Sequence, residues 1–475
     1  MSVNSPLGAA SRSGAFELRL PATTREATAR ARLGTAGLAG LILLTLFICI
    51  SASGTEALLP ASTRPTNYGL GGLFAGIHIH LPAGVLLPLL SLLFACYVLA
   101  VRASDRFSAR TVLTTIAALN VIVLVAPTLM STDVFSYEAY ARMFVTYSTN
   151  PYVHGPLVIG QQDMLWPFIG AKWIQTPTAY GPLFTIFSIF LDKFTFGAHA
   201  CLATPVAPAC YRAIAVSTIA YKVIAAASGI AVMAILWHAS RLRGLNPVRA
   251  VAVFGLNPLV VIYGVGGGHN DLVMLVFTTL GVYAILAHRE RASGALVMIG
   301  TAMKLTGALL LPFALASGVE LGASRRRRAI LAGAGVTAVA VAALGYGFFG
   351  LGQLDLVPTL QRIQAEGDTS SVPGFLSIVL RLDVVGHVVG MLLGVAFLAI
   401  FAWLLHRVWR GRMDWIDGAG WATVAMLMTA SSMLPWYVTW LMPLVALCTS
   451  RRLWKAGLWV TGFVQLITMV AYIPH

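Results

Sequence analysis

The chain has 475 residues, 58% of them hydrophobic and only 10% charged, with a mean hydropathy of +0.81. A soluble domain carries about 25% charged residues and rarely exposes large apolar patches. Composition therefore excludes a soluble globular enzyme, a disordered chain and a fibrous repeat, and it implies an all-α protein that crosses a membrane many times.

The 32 Lys and Arg against 17 Asp and Glu would suggest nucleic acid in a soluble protein. Here the basic residues sit in short loops between apolar runs, as the positive-inside rule predicts, so no nucleic-acid partner is expected. Residues 1–32 are polar, carry Arg12, Arg19, Arg25, Arg30 and Arg32, and lack the apolar core of a signal peptide. They are expected to form a cytoplasmic tail ahead of one transmembrane domain over 33–475.

A helix needs about 20 apolar residues to cross a bilayer, and the first such runs are 33–53, 81–102 and 111–130. The loop with Arg102, Arg106 and Arg110 then lies inside, and the chain emerges outside near Ser131. An external stretch follows over 131–180, and the short apolar run 181–197, holding Asp192 and Lys193, reads as an interfacial or re-entrant element. Spans are expected at 211–238, 248–264 and 271–288. The run 294–319 is interrupted by Lys304 and Pro312 and flanked by basic residues, which fits a broken hairpin returning to the cytoplasmic side. Further spans are expected at 329–350, 384–408, 418–434, 437–450 and 456–473, with a second external loop at 352–373. The total is about eleven full crossings and two partial ones. Cys49, Cys96 and Cys448 read as small core hydrophobes, while the Cys201–Cys210 loop has the makings of a disulfide.

Four places carry chemistry. In a helix starting at Ser131 or Thr132, Asp133, Tyr137 and Tyr140 share one face, and Glu138 and Arg142 are spaced for an ion pair. The plain alternative is an acidic first helical turn beside an interfacial tyrosine belt. Gly266-Gly267-Gly268-His269-Asn270-Asp271 puts a switchable base, an amide and a carboxylate on a flexible turn, though a capped glycine turn has the same composition. Lys304 reads as the one lysine deep in an apolar run, where an ionisable group faces a cavity or partner unless it snorkels. Pro435-Trp436-Tyr437 is an aromatic anchor or a surface on which a sugar stacks. Asn150-Pro151-Tyr152 and Tyr180-Gly181-Pro182 read as turns.

Taken together and in this order, Asp133-Val134-Phe135-Ser136-Tyr137, Asn150-Pro151-Tyr152, Tyr180-Gly181-Pro182, Gly268-His269-Asn270-Asp271 and Trp436-Tyr437 resemble the actinobacterial polyprenyl-phosphate-mannose-dependent α-1,6-mannosyltransferases. The resemblance runs from the first span to the last. It implies a GT-C glycosyltransferase-like helical bundle with about 11–13 membrane segments and external catalytic loops. It also implies a multi-pass protein of the bacterial plasma membrane, with its N-terminus cytoplasmic and its active site on the external face. The donor would be polyprenyl-phosphate-mannose, and the acceptor a lipid-linked or oligosaccharide mannan. Many GT-C enzymes have paired acids at the first catalytic loop, whereas here Thr132 precedes Asp133, so metal dependence is left open. The chain also ends just after its last apolar run, which predicts a compact core enzyme.

A lipid-phosphate sugar already has a good leaving group, so one carboxylate acting as general base suffices for an inverting displacement. Asp133 is assigned that role, in a water-facing pocket shared with the glycine-flanked histidine turn. Tyr137, Arg142, Tyr180, His269, Asn270, Asp271, Lys304, Trp436 and Tyr437 are assigned to substrate binding. Asp271 or His269 either positions the acceptor or holds a divalent cation. Arg142, Arg362 and Arg381 are the candidates to grip phosphate through two oxygens. A transporter or flippase would also explain Lys304, but it predicts inverted repeats, which the sequence lacks. A GT-C enzyme using another lipid-linked sugar differs only in pocket shape.

Overall fold

The computed structural model describes residues 24–55, 58, 70–195, 208–317, 323–367, 371–380 and 386–470, and these are helical with no β-strand among them. Most of the expected tail, the Cys201–Cys210 pairing and Arg381 lie outside what is described. The helices are α1 (Thr24–Ser51), α2 (Ala83–Arg102), α3 (Ala109–Val125), α4 (Asp133–Val145), α5 (Pro182–Thr195), α6 (Pro208–Leu242), α7 (Pro247–Gly255), α8 (Asp271–Leu286) and α9 (Glu290–Met303). There follow α10 (Leu310–Ala316), α11 (Ala323–Phe349), α12 (Leu356–Glu366), α13 (Val372–Leu380), α14 (Gly386–Trp409), α15 (Trp415–Thr429), α16 (Met442–Leu447) and α17 (Arg451–Val470).

Among the described residues, five helices are long and apolar enough to cross a membrane, and a sixth crossing forms if α7 and the π-helical segment Leu259–Val265, bent by 52° at Pro258, count as one. Most of the other apolar runs expected as crossings are shorter pieces, the exception being the run at 456–473, which falls in the 20-residue α17. The runs at 418–434 and 437–450, for instance, become the 15-residue α15, a 3-10 segment Pro435–Trp440 and the six-residue α16. Pro435 and Pro443 supply no N–H to continue a helix, so apolar composition there makes broken structure lining the bundle interior. Helix α1 begins at Thr24, so the tail expected over 1–32 is helical from that residue on.

The two ends of the bundle differ in charge. At one end Arg243 forks onto Asp414 at 3.0 and 3.3 Å, Arg249 lies over Trp454, and Arg327 lies over Trp409 while donating to the Leu315 carbonyl. The last of these contacts ties the end of α10 to the first turns of α11. Helix α9 starts beside the start of α11, with Gly294 against the Ile330 backbone and Gly333 against that of Arg291. The chain breaks at Lys304, which is extended (φ −152°, ψ 126°), and α10 returns to the basic end. At the opposite end gather the last turn of α1, the start of α2, α4 and its following segment, the start of α8, Lys304 and Pro435–Trp440.

Two departures from the sequence reading shape that second end. The segment expected as a loop at 352–373 contains α12, whose Gln364 bonds to Ser432 just before Pro435. Lys304 is also not the only lysine in an apolar run. Lys222 on α6 is buried and donates to the carbonyls of Leu124 (3.4 Å), Ala126 (2.6 Å) and Pro127 (3.2 Å). These lie where α3 stops, and the last carbonyls of a helix have no partner of their own. One ammonium therefore lets α3 end inside the bundle, five residues before Met130, and lets the non-helical run 126–132 lead into Asp133.

Candidate active site

Asp133 starts α4, its amide held by the Ser131 hydroxyl at 3.1 Å. The histidine turn comes to it from elsewhere. Leu129 N–H bonds to the Gly266 carbonyl at 3.1 Å, pinning the irregular run before α4 to the turn that follows the π-helical segment. Gly268 sits at φ +67°, where a side chain strains the backbone, and this conformation turns the chain from the π-helical segment into α8. His269 Nδ1 consequently lies 3.5 Å from Asp133 Oδ2 and 4.0 Å from Asp271 Oδ2. The two motifs, more than a hundred residues apart in sequence, form one cluster as expected.

The third component is Lys304, freed from helical geometry by the break after α9. Its ammonium is 2.8 Å from Asp271 Oδ1, and the Trp440 indole N–H donates to the same oxygen at 2.6 Å. The ammonium also lies over the rings of Tyr437 (4.7 Å) and Trp440 (5.2 Å), which stack on each other at 4.2 Å. Trp436 stacks on His269 at 3.8 Å with planes 23° apart. Trp440 was not singled out from sequence, because in a run of Trp and Tyr nothing local separates a carboxylate donor from a membrane anchor.

The tyrosines hold the assembly in register. Tyr137 OH donates to Asn270 Oδ1 at 3.3 Å and accepts from the Asn270 N–H at 3.4 Å, joining α4 to the histidine turn. Tyr180 OH donates to Asp133 Oδ2 at 3.4 Å, and its ring meets that of Tyr137 edge-on at 4.8 Å. Tyr180 is itself fixed twice: its carbonyl accepts from Tyr152 OH, and the Gly181 N–H bonds to the Met303 carbonyl next to Lys304. A Cβ at Gly181 would run into the Ala302 carbonyl, so only glycine lets this turn dock there. Asn150-Pro151-Tyr152 keeps its reading as a turn, Asn150 bonding to the Phe349 carbonyl at the end of α11 at 2.7 Å.

Two expectations are corrected. The pocket is not open to water: Asp133 is 6% exposed and His269 and Asp271 are fully buried, because Tyr180 packs against Asp133, Trp436 covers His269 and Lys304 and Trp440 close on Asp271. Arg142 does not face the cluster either. It is 1% exposed and its Nε meets Asp163 at 2.7 Å, an oxygen that also accepts from Tyr147 OH. Glu138, its expected partner, instead accepts from Thr218 on α6. Removing one member of a buried pair costs about 3–5 kcal/mol. Arg142→Met is therefore expected to lower the melting temperature and membrane yield while leaving donor KM unchanged in the protein that folds; a raised KM at wild-type stability would return Arg142 to the substrate. Arg362, the other described phosphate candidate, is exposed on α12.

The electrostatics separate the two acids. Burial lifts the Asp133 carboxyl to about 6 against the opposing pull of the Lys304 ammonium, and the charge of Asp271 adds a smaller upward push. Burial, aided by Lys304, holds the His269 imidazole well below the usual histidine range, so it is neutral at pH 7. The cluster therefore offers a charge-paired carboxylate, a neutral imidazole, and a second carboxylate that titrates near neutrality. A group with a pKa near the working pH is suited to general-base chemistry. Among the described residues no three His, Cys, Asp or Glu side chains form a metal-ligand set. Both polar groups on Asp271 Oδ1 are already donors, and Lys304 supplies the positive charge that a cation would bring.

Comparison with known proteins adds to this geometry. The family described as Alpha-(1->6)-mannopyranosyltransferase, N-terminal domain, matches residues 34–320, and the MptB C-terminal domain matches residues 368–474. A Mycobacterium tuberculosis protein named alpha-(1->6)-mannopyranosyltransferase A is 26% identical over 381 residues, 73% of this chain and 68% of its own. A Corynebacterium glutamicum protein of the same name is 28% identical over 208 residues, 42% of this chain and 37% of its own. The alpha-(1->6)-mannopyranosyltransferase B of that organism is 24% identical over 371 residues, 71% of this chain and 58% of its own. The aligned stretches thus span between 37% and 68% of these relatives' lengths.

Proposed function

Because the chain belongs to the α-(1→6)-mannopyranosyltransferase family, we propose that it transfers mannose from a polyprenyl-phosphate donor to a hydroxyl of a mannan acceptor, with inversion, forming an α-1,6 linkage. The observation that carries this reading is the division of labour between two buried carboxylates around one histidine. Asp271 is neutralised by Lys304, whereas Asp133 is left to titrate near pH 6.

In the reaction, the acceptor O–H proton passes to Asp133 Oδ2 as the acceptor oxygen bonds to the sugar C1. The C1–O bond to phosphate breaks on the opposite face, and the polyprenyl phosphate leaves with the electron pair. One displacement inverts the anomeric centre, so no enzyme-bound sugar forms (the analogy is to inverting glycoside hydrolysis). The phosphate gains charge as it leaves, and Lys304 is the ammonium available to it within the cluster. The faces of Trp436, Tyr437 and Trp440 suit an apolar sugar face.

A lipid-linked donor is consistent with the apolar lining of a narrow crevice of about 30 Å³ that starts at Trp440 and runs inward along α8 between Met274, Leu275, Leu310, Met426 and Leu444. The charge asymmetry supports an orientation with the basic end and N-terminus in the cytoplasm and the cluster at the external face of the bacterial plasma membrane.

Membranes containing the protein, incubated with polyprenyl-phosphate-mannose and a short mannoside, should yield an α-1,6-extended product and free polyprenyl phosphate. Transfer only from another lipid-linked sugar would refute the donor, and another linkage the regiochemistry. The rate should also depend on pH with a defined sign. The base works ionised, so transfer should fall about tenfold per pH unit below 6 and level off above it. A rate that instead rises on acidification would assign Asp133 the role of an acid.

A further inference from the structure

The basic end of the bundle holds a second concave site, remote from the carboxylates. A groove of about 870 Å³ lies between the first turns of α9 and α11, walled by Arg289, Arg291, Arg325 and Arg326 and floored by Ala292, Ala295 and Ala329. We propose that this groove binds a phosphate-bearing anion, supplied by the headgroup of an anionic membrane lipid.

Orientation signals alone do not explain the arrangement, because a positive-inside arginine can point anywhere on its side of the membrane. Other arginines at this end are engaged: Arg243 with Asp414, Arg249 with Trp454, Arg327 with Trp409 and Arg407 with Trp403. The groove instead sets four guanidiniums around one hollow whose lining includes a single carboxylate, Glu290. Arg326 Nε is buried without a hydrogen-bond partner, as are Arg243 Nε and Arg407 Nε, so the groove is set apart by its four convergent guanidiniums rather than by that atom. Guanidinium groups meet phosphate with two parallel N–H bonds, and the hydrogen-bonding capacity left over in the groove is of that kind.

The packing of the two helices makes the hollow. Gly294 and Gly333 bring the α9 and α11 backbones into direct contact, so the arginines preceding both glycines share one space. Alanines on the floor leave it unfilled. The first N–H groups of α9 carry no side-chain cap from Arg289 and suit an anion, with the first turn of α11 alongside. A lipid is favoured over a soluble phosphate because the groove lies where the apolar course of α9 and α11 begins, at the level of a headgroup. Basic pockets of this kind between membrane helices recognise anionic lipids.

The test uses the full chain purified in detergent, with lipid adducts counted by native mass spectrometry. Dioleoylphosphatidylglycerol should be retained over dioleoylphosphatidylcholine. Each lost arginine should weaken retention about fivefold, so R289Q/R291Q and R325Q/R326Q should each lose most of it. R410Q/R412Q, at the same end but outside the groove, should retain the lipid like the parent. Should the double variants fail to insert, Ala292→Trp fills the hollow without changing any charge, and it should displace the lipid. Parent-like retention by Ala292→Trp, or equal loss in R410Q/R412Q, overturns the site. Inorganic phosphate that displaces phosphatidylglycerol and raises the melting temperature of the parent, but not of Ala292→Trp, overturns the lipid as occupant and gives the groove to a soluble phosphate.

Discussion

Asp133→Asn should retain no more than about one hundredth of the parent transfer rate, and as little as one ten-thousandth, because loss of a general base typically costs about 10²–10⁴-fold. The substitution is nearly isosteric, and the contacts that place residue 133 survive it. The Ser131 hydroxyl caps a backbone N–H, and an amide oxygen can still accept from Tyr180 OH. Stability should move the other way. The folded-state pKa of Asp133, about 6, is above its ordinary value of 3.8, so the folded protein binds that proton more tightly than the unfolded chain. As pH rises from 3.8 through 6 the group therefore costs stability, up to about 3 kcal/mol at neutrality. Asn carries no such penalty. At pH 7 the variant should melt at or above the parent temperature, and the difference should vanish below pH 4. Inactivity without destabilisation is the signature of a residue kept for chemistry. Parent-level transfer by the folded Asp133→Asn protein would end its assignment as the base.

Much of the architecture was legible because hydropathy and loop charge are local properties. The apolar runs, the break at Lys304 and the gathering of basic loops at one end need no knowledge of partners. The site was legible in part for a similar reason: Asp133, the glycine-flanked His269 turn and Lys304 each look out of place in their own neighbourhood. Long-range pairing was not legible. Arg142 and Glu138 have ideal helical spacing for an ion pair, yet Arg142 meets Asp163, and no local pattern marks Asp163 as the stronger partner in a dry interior. Lys222 passed unnoticed within an apolar run because its role, capping α3 from a different helix, exists only in three dimensions. The expected wet pocket was wrong for a related reason. Polar and aromatic residues in 131–180 suggest a solvated loop, whereas Tyr137 and Tyr180 pack together beside Asp133 and the distant Trp436 and Trp440 close over His269 and Asp271.

Lys304→Gln should reduce transfer by about 10²–10³-fold, the cost of removing one preorganised electrostatic partner of a transition state, and its pH profile should separate charge from shape. The ammonium lowers the Asp133 carboxyl pKa against its burial, so without it the acidic limb of the rate profile should move above pH 6. Lys304→Arg keeps the charge and should leave the limb near its parent position even if the bulkier head lowers the rate. The stability effect has a different origin. Asp271 is buried, and Lys304→Gln leaves its carboxylate with the Trp440 indole but no cation, which should cost about 3–5 kcal/mol. Adding Asp271→Asn removes the stranded charge, so the double variant should recover the melting temperature without recovering transfer. If the double variant regains both, Lys304 serves only to neutralise Asp271, and the departing phosphate must find its counter-charge elsewhere. If the acidic limb stays at pH 6 in Lys304→Gln, the ammonium does not act on Asp133, and the electrostatic link between the two halves of the site is refuted.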